Sequence, residues 1–144
     1  MARFRDRREL HEVMDKLFSL MARDPEVGPA LRKAHAPHRI SFTDFGTTVS
    51  VRPADDKRAA RGQLLEWKWD EDSWPVVVSL SMSSEVANRF FQGRENIPLA
   101  VARGNIVVGE GELPRSLELL PLLRPIFPRY VELLGNERYE HLRD

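Results

Sequence analysis

The stretch WPVVVSLSMSSEVANRFFQGRENIPLAVARGNIVVGEG, residues 74–111, decides the fold. Residues 75–82 alternate: Val76, Val78, Leu80 and Met82 take one side, and Val77, Ser79 and Ser81 the other, the period of a half-buried strand. Ser83-Ser84-Glu85 then supplies an N-cap for a helix carrying Val86, Ala87, Phe90 and Phe91, and Gly93 ends it. Two short apolar runs follow, residues 97–103 and 105–110. They read either as a hairpin turning at Gly104-Asn105 or as a turn of helix followed by a strand. A strand, a helix and a second strand in this order place the chain in the mixed α/β (α+β) class.

Upstream, Leu10, Val13, Met14, Leu17, Phe18 and Met21 recur at helical spacing and predict an amphipathic helix over residues 7–23. Asp24-Pro25 opens a short second helix through Val27, Ala30, Leu31 and Ala34, which stops near Pro37. Ile40 and Phe42, a turn at Thr43-Asp44-Phe45-Gly46 and the β-branched run 47–52 predict a hairpin. Residues 53–62 read as a charged loop. Residues 63–70 set Leu65, Trp67 and Trp69 against Leu64, Glu66 and Lys68, another half-buried strand, and a turn covers residues 70–75. Downstream, residues 117–134 are apolar and helical but interrupted by Pro121, Pro125 and Pro128.

The order from Trp74 to Gly111 resembles the sterol carrier protein-2 (SCP2-like) family, in its bacterial branch. The residues that carry the likeness are the strand ending Ser79-Leu80-Ser81-Met82, the cap Ser83-Ser84-Glu85, the helix ending Phe90-Phe91-Gln92-Gly93, and the run from Asn96 through Gly104 to Val107-Val108-Gly109. The segment Arg39-Ile40-Ser41-Phe42-Thr43-Asp44 is compatible with it. Trp74-Pro75, where an acidic residue is expected to open the strand, and the proline-broken C-terminus depart from the pattern. The resemblance implies a single SCP2-like domain over residues 1–144, with a five-stranded, mainly antiparallel sheet and helices enclosing an apolar tunnel. It implies non-enzymatic binding, and transfer, of a fatty acyl chain or sterol, with no cofactor.

The expected tunnel lining comprises Trp67, Trp69, Val78, Leu80 and Met82 from the strands and Val86, Phe90 and Phe91 from the helix. Leu99, Val101, Ile106 and Val108 follow, with Leu120, Leu123, Phe127 and Tyr130 from the C-terminal region. Each side chain has an ordinary packing role beside this one. Phe90 and Phe91 are adjacent on a helix, so they are expected to face different ways. Trp67 and Trp69 share a strand face, as core or as a flat ligand wall.

Composition narrows the function classes. The chain has 144 residues, 42% hydrophobic and 31% charged, with zero formal net charge, a globular balance that does not point to nucleic acid. Without cysteine there is no disulfide, thiolate zinc site or thiol nucleophile. His35 and His38 form a His-x-x-His spacing with no acidic companion, a poor zinc site. The glycines at 104, 109 and 111 make no phosphate loop, no G-x-S-x-G elbow is present, and Asp70, Glu71 and Asp72 read as solvated turn carboxylates. No catalytic or metal-binding residue is therefore expected. The charged start, residues 1–10, and the final His141-Leu142-Arg143-Asp144 carry no targeting signal, so a cytoplasmic protein is expected. Lysine occurs only at positions 16, 33, 57 and 68 among many arginines, which suggests a GC-rich bacterial source. The arginine-rich lead-in, residues 3–8, reads as an exposed start of the first helix, with transient contact with lipid headgroups or an acidic partner as the alternatives. The apolar surplus at 117–130 reads as core, as a lid over the tunnel, or as a docking face for a partner or second copy.

Overall fold

The computed structural model describes residues 2–144; Met1, at the head of the charged lead-in, lies outside them. One sheet runs in the order β3-β2-β1-β4-β5, built from β1 (His38–Phe42), β2 (Thr47–Pro53), β3 (Leu65–Trp69), β4 (Val78–Met82) and β5 (Ile106–Val108). β1 and β4 are parallel, and the other three pairings are antiparallel. The register aligns the apolar positions into rows across the strands. Trp69, Val49, Ile40, Leu80 and Val108 form one inner row, and Trp67, Val51, His38 and Val78 form another. The opposite face carries Lys68, Ser50, Arg39 and Ser79 in one row, and Thr48, Ser41, Ser81 and Val107 in the next. A period of two thus makes one face apolar across all five strands, and the helices cover that face.

Helix α1 (Arg7–Arg23) starts where the Asp6 carboxylate accepts the Glu9 amide at 2.8 Å, and it buries the Leu10 to Met21 stripe. It packs over β3, where the Asp15 carboxylate accepts both indole N–H groups, Trp67 at 3.0 Å and Trp69 at 2.8 Å. His11 stacks on Trp69 with ring centroids 3.8 Å apart. In α2 (Val27–Ala34), the Asp24 carboxylate takes the first amides, Glu26 at 2.9 Å and Val27 at 2.8 Å.

Several elements differ from the sequence expectation. Within the charged loop 53–62 lies a one-turn helix, α3 (Asp56–Ala59), capped by Asp55 accepting the Arg58 amide at 2.8 Å. β4 opens at Val78 rather than residue 75, because its partner β1 begins at His38, behind Pro37. Trp74 lies just before it under the Arg52 guanidinium, 3.6 Å from the ring centroid. After α4 (Ser84–Phe91), the helical alternative holds for the next segment: α5 (Ile97–Ala102) is capped by Asn96, whose side chain accepts the Leu99 amide at 3.1 Å. Gly104, at φ +77, follows that helix instead of turning a hairpin.

The C-terminal region begins at Leu113 and divides into α6 (Leu113–Leu119), a 3-10 segment (Leu120–Ile126) and α7 (Phe127–Leu133). Pro121 and Pro125 lack the amide an α-helical ladder needs, and the tighter 3-10 path accommodates them. The chain end is tied down by buried polar groups. The Tyr130 hydroxyl donates to Asn88 Oδ1 at 2.7 Å, and Asn88 Nδ2 and Gln92 Nε2 donate to the Leu142 carbonyl at 2.8 and 3.0 Å. Burial pushes the Tyr130 phenol well above the usual tyrosine range, so it remains a donor. Tyr130→Phe leaves Asn88 Oδ1 buried without its donor, so urea unfolding should show a loss of roughly 1–3 kcal/mol. An unchanged midpoint would mean that this bond does not hold α7 to α4.

Candidate functional site

Beneath α4 the inner face of β1, β4 and β5 does not close completely. A cavity of about 20 Å³ lies there. Its floor is His38, Ile40, Leu80, Met82 and Ile106 from the sheet, and α1 contributes Phe18 and Met21. Phe90 and Phe91 from α4, Ile97 from α5, Leu119 from α6, and Leu120 and Leu123 from the 3-10 segment complete the wall. His38 is the only member with a nitrogen or oxygen in its side chain.

Of the expected lining, Leu80, Met82, Phe90, Phe91, Ile106, Leu120 and Leu123 converge on this cavity. Trp67 and Trp69 sit away from it, under α1 with their N–H groups on Asp15. Val78 and Val86 are buried and Val101 and Val108 half-buried outside the lining, while Leu99 is exposed. The Tyr130 ring lies 5.9 Å from that of Phe91, behind it, and Phe127 meets Phe90 edge-on at 5.3 Å. Phe90 and Phe91 do not diverge: both are buried, edge to face at 4.9 Å. Helix α4 is covered by both the sheet and α7, so neighbouring positions on it face protein. Gly93 lets Phe127 pack close to the end of α4, because its φ is +76 and an added Cβ would stand 3.2 Å from the Phe127 ring.

Sequence reasoning missed Phe18, Met21, His38, Ile40, Ile97 and Leu119 as lining residues. The helical stripe and the strand period placed most of these inside, but nothing local showed which interior residues border a gap.

The expected tunnel is present only as this narrow space. At about 24 cal/mol per Å³, a 20 Å³ gap forfeits only about 0.5 kcal/mol of packing. An open pocket of about 300 Å³ would forfeit about 7 kcal/mol, within the range of a whole domain's stability. Phe90, Ile97 and Leu120 also line an outer groove of about 420 Å³ with Glu95, Asn96, Pro98, Leu117, Pro121, Arg124 and Phe127. Those three side chains therefore separate the interior from the surface. Within this wall α5 buries only Ala100, whereas the 3-10 segment buries Leu120, Leu123 and Ile126 and gives up the amides of Pro121 and Pro125.

His35 and His38 do not converge. His35 is exposed at the left-handed end of α2, with φ +47, and His38 is buried on β1. Among the described residues no group of three or more His, Cys, Asp or Glu side chains is placed to hold a metal ion. The Asp70 carboxylate accepts from the Thr47 hydroxyl at 2.9 Å and the Thr48 amide at 3.0 Å, which fixes the end of β3. No helix among the described residues is long and apolar enough to cross a membrane.

No protein-family model matches the chain, and no curated protein sequence does. Solved structures do. The chain shares 12% identity with UbiJ-SCP2, a ubiquinone synthesis protein, at a TM-score of 0.58 over 81% of this chain and 89% of that one. With the sterol carrier protein domain 2 of Helicoverpa armigera the identity is 19% and the TM-score 0.54, over 83% and 89% of the two chains. The inverting sec-alkylsulfatase Pisa1 from Pseudomonas sp. matches at 14% identity and a TM-score of 0.59 over 76% of this chain, which spans only 16% of that enzyme. The sheet, its helical cover and these likenesses define an α+β domain with the SCP2-like fold.

Burial holds the His38 imidazole below its ordinary pKa of 6.5, partly offset by its bond to the Ala36 carbonyl. His11 is also lowered by burial, against the pull of Asp70 and Asp15. A folded pKa below the unfolded one means that the unfolded chain binds the proton more readily. Stability from these groups is full above pH 6.5 and is lost as pH falls through the window beneath it. Melting temperature should therefore drop as pH falls below 6.5, and drop less steeply in His38→Gln. Parallel slopes in the two proteins would show that His38 is not kept neutral by the fold.

Proposed function

We propose that residues 1–144 act as one non-enzymatic domain that binds, and transfers, a slender lipid-like molecule such as a fatty acyl chain or sterol. In this reading the ligand lies between the sheet and α4, α5 and the 3-10 segment. The carrying observation is a purely apolar interior gap, broken only by His38, that three side chains divide from a surface groove. The fold shared with a sterol carrier protein domain and with UbiJ-SCP2 supports the same reading. Opening the gap to ligand size costs about 7 kcal/mol, and burying ten methylenes returns about 8 kcal/mol before association costs. Binding is thus coupled to displacement of Phe90, Ile97 and Leu120. The exposed arginines at 3, 5, 7 and 8 stand at the start of α1, where Arg3 pairs with Glu85, Arg5 with Glu9, and Arg7 donates to the Gly46 carbonyl; transient contact with lipid headgroups would compete with these exposed partners.

One observation favours a second reading. The interior is nearly shut, while Leu113 and Leu117 are exposed on α6 and Leu99 on α5. In that reading the groove docks a partner or a second copy of the chain, and the interior serves only as core.

Organic extraction of the purified protein should release a lipid, or titration with an uncharged long-chain acyl ligand such as methyl palmitate should raise the melting temperature. A bare chain by native mass spectrometry, with no thermal shift from acyl or sterol ligands, would contradict ligand binding. If light scattering then showed a dimer that Leu117→Asp dissociates, the docking reading would replace it.

A further inference from the structure

We propose that His38 is the polar anchor of this cavity and selects apolar molecules ending in a hydroxyl over those ending in an ionised carboxylate. The inference rests on the reading that the cavity takes an apolar ligand, and it names the ligand's chemical class.

His38 is 5% exposed and lies in the inner row between Val51 and Val78. Its Nδ1 stands 3.2 Å from the Ala36 carbonyl oxygen. A carbonyl only accepts, so Nδ1 carries the proton and donates it. In the neutral ring Nε2 is then a lone-pair acceptor; among the described residues it has no hydrogen-bond donor, and it is not among the atoms sealed off without a partner, so it borders open space. The second proton that would turn Nε2 into a donor is opposed by burial, and no carboxylate contributes to stabilising it. Every other lining side chain is hydrocarbon or thioether.

A ligand entering this space therefore meets one unfilled acceptor. An alcohol or phenol donates its O–H to Nε2 and satisfies both partners. An ester or ketone brings its own lone pairs against that of Nε2, and an ionised carboxylate adds the cost of burying a charge with no cation beside it. The head placed at His38 directs the tail along Ile40 and Leu80 toward Met82 and Ile106. That path runs four residues along the strands, or about 13 Å.

The test compares dodecanol, methyl laurate, laurate and dodecane at a mildly alkaline pH where laurate is ionised, by thermal shift on the wild type and His38→Leu. Dodecanol should bind roughly three- to tenfold tighter than methyl laurate, with laurate weakest. His38→Leu should close the gap between dodecanol and methyl laurate while still taking dodecane. If His38→Leu does not fold, nitrogen-15 NMR of the wild-type imidazoles gives the answer: dodecanol should shift His38 Nε2 and leave Nδ1 in place. Equal affinities with an unmoved Nε2, or laurate tightest with a protonated ring, would overturn the anchor while leaving apolar binding intact. If none of the four binds, both the anchor and the binding reading fall.

Discussion

The apolar face of the sheet has to be covered, and the register sets where that face lies. Since side chains alternate with a period of two, every pairing must hold in phase for Trp69, Val49, Ile40, Leu80 and Val108 to share one side. A slip of one residue between β1 and β4 would turn Leu80 and Met82 to solvent and bring Ser79 and Ser81 inside. The helices answer this demand in two parts. Over β3, α1 sits flush, with Asp15 fixing both indoles. Over β1, β4 and β5, the cover is assembled from α4, α5 and the proline-containing 3-10 segment.

These two covers differ in how firmly they are held. The α1 side combines a continuous stripe of buried residues with polar anchors. On the other side, α4 is fixed to the chain end through Asn88, Tyr130 and Leu142, α5 buries only Ala100, and the 3-10 segment buries Leu120, Leu123 and Ile126 without the amides of Pro121 and Pro125. A gap remains on that side, closed from the surface groove by Phe90, Ile97 and Leu120. The small size of the gap keeps its packing cost low. A wide open tunnel would sacrifice the packing a chain of this length depends on.

Much of the fold was legible because its signals are local. Alternation at Val78, Leu80 and Met82, the Ser83 cap and the α1 stripe each follow from a few neighbouring residues. The short helices were harder. Asp55 capping α3 and Asn96 capping α5 are ordinary signals that compete with equally good loop and hairpin readings. The site was legible only in part, since whether an interior residue borders a gap is settled by partners far away in the chain. His38 meets Val78 through a parallel pairing 40 residues distant, so nothing near it in the sequence showed that it borders the cavity. Trp67 and Trp69 read equally as core or ligand wall until Asp15, on a distant helix, is seen to hold both of their polar edges.

The central claim, that an apolar chain enters between the sheet and α4, is tested most directly by intermolecular NOE spectroscopy with carbon-13-labelled dodecanol. The account predicts contacts from the ligand to the methyl groups of Leu80, Met82, Ile106 and Leu123, and none to Val77 or Val107 on the outer side. Contacts confined to Leu117 and the outer groove, with the interior methyls silent, would contradict it.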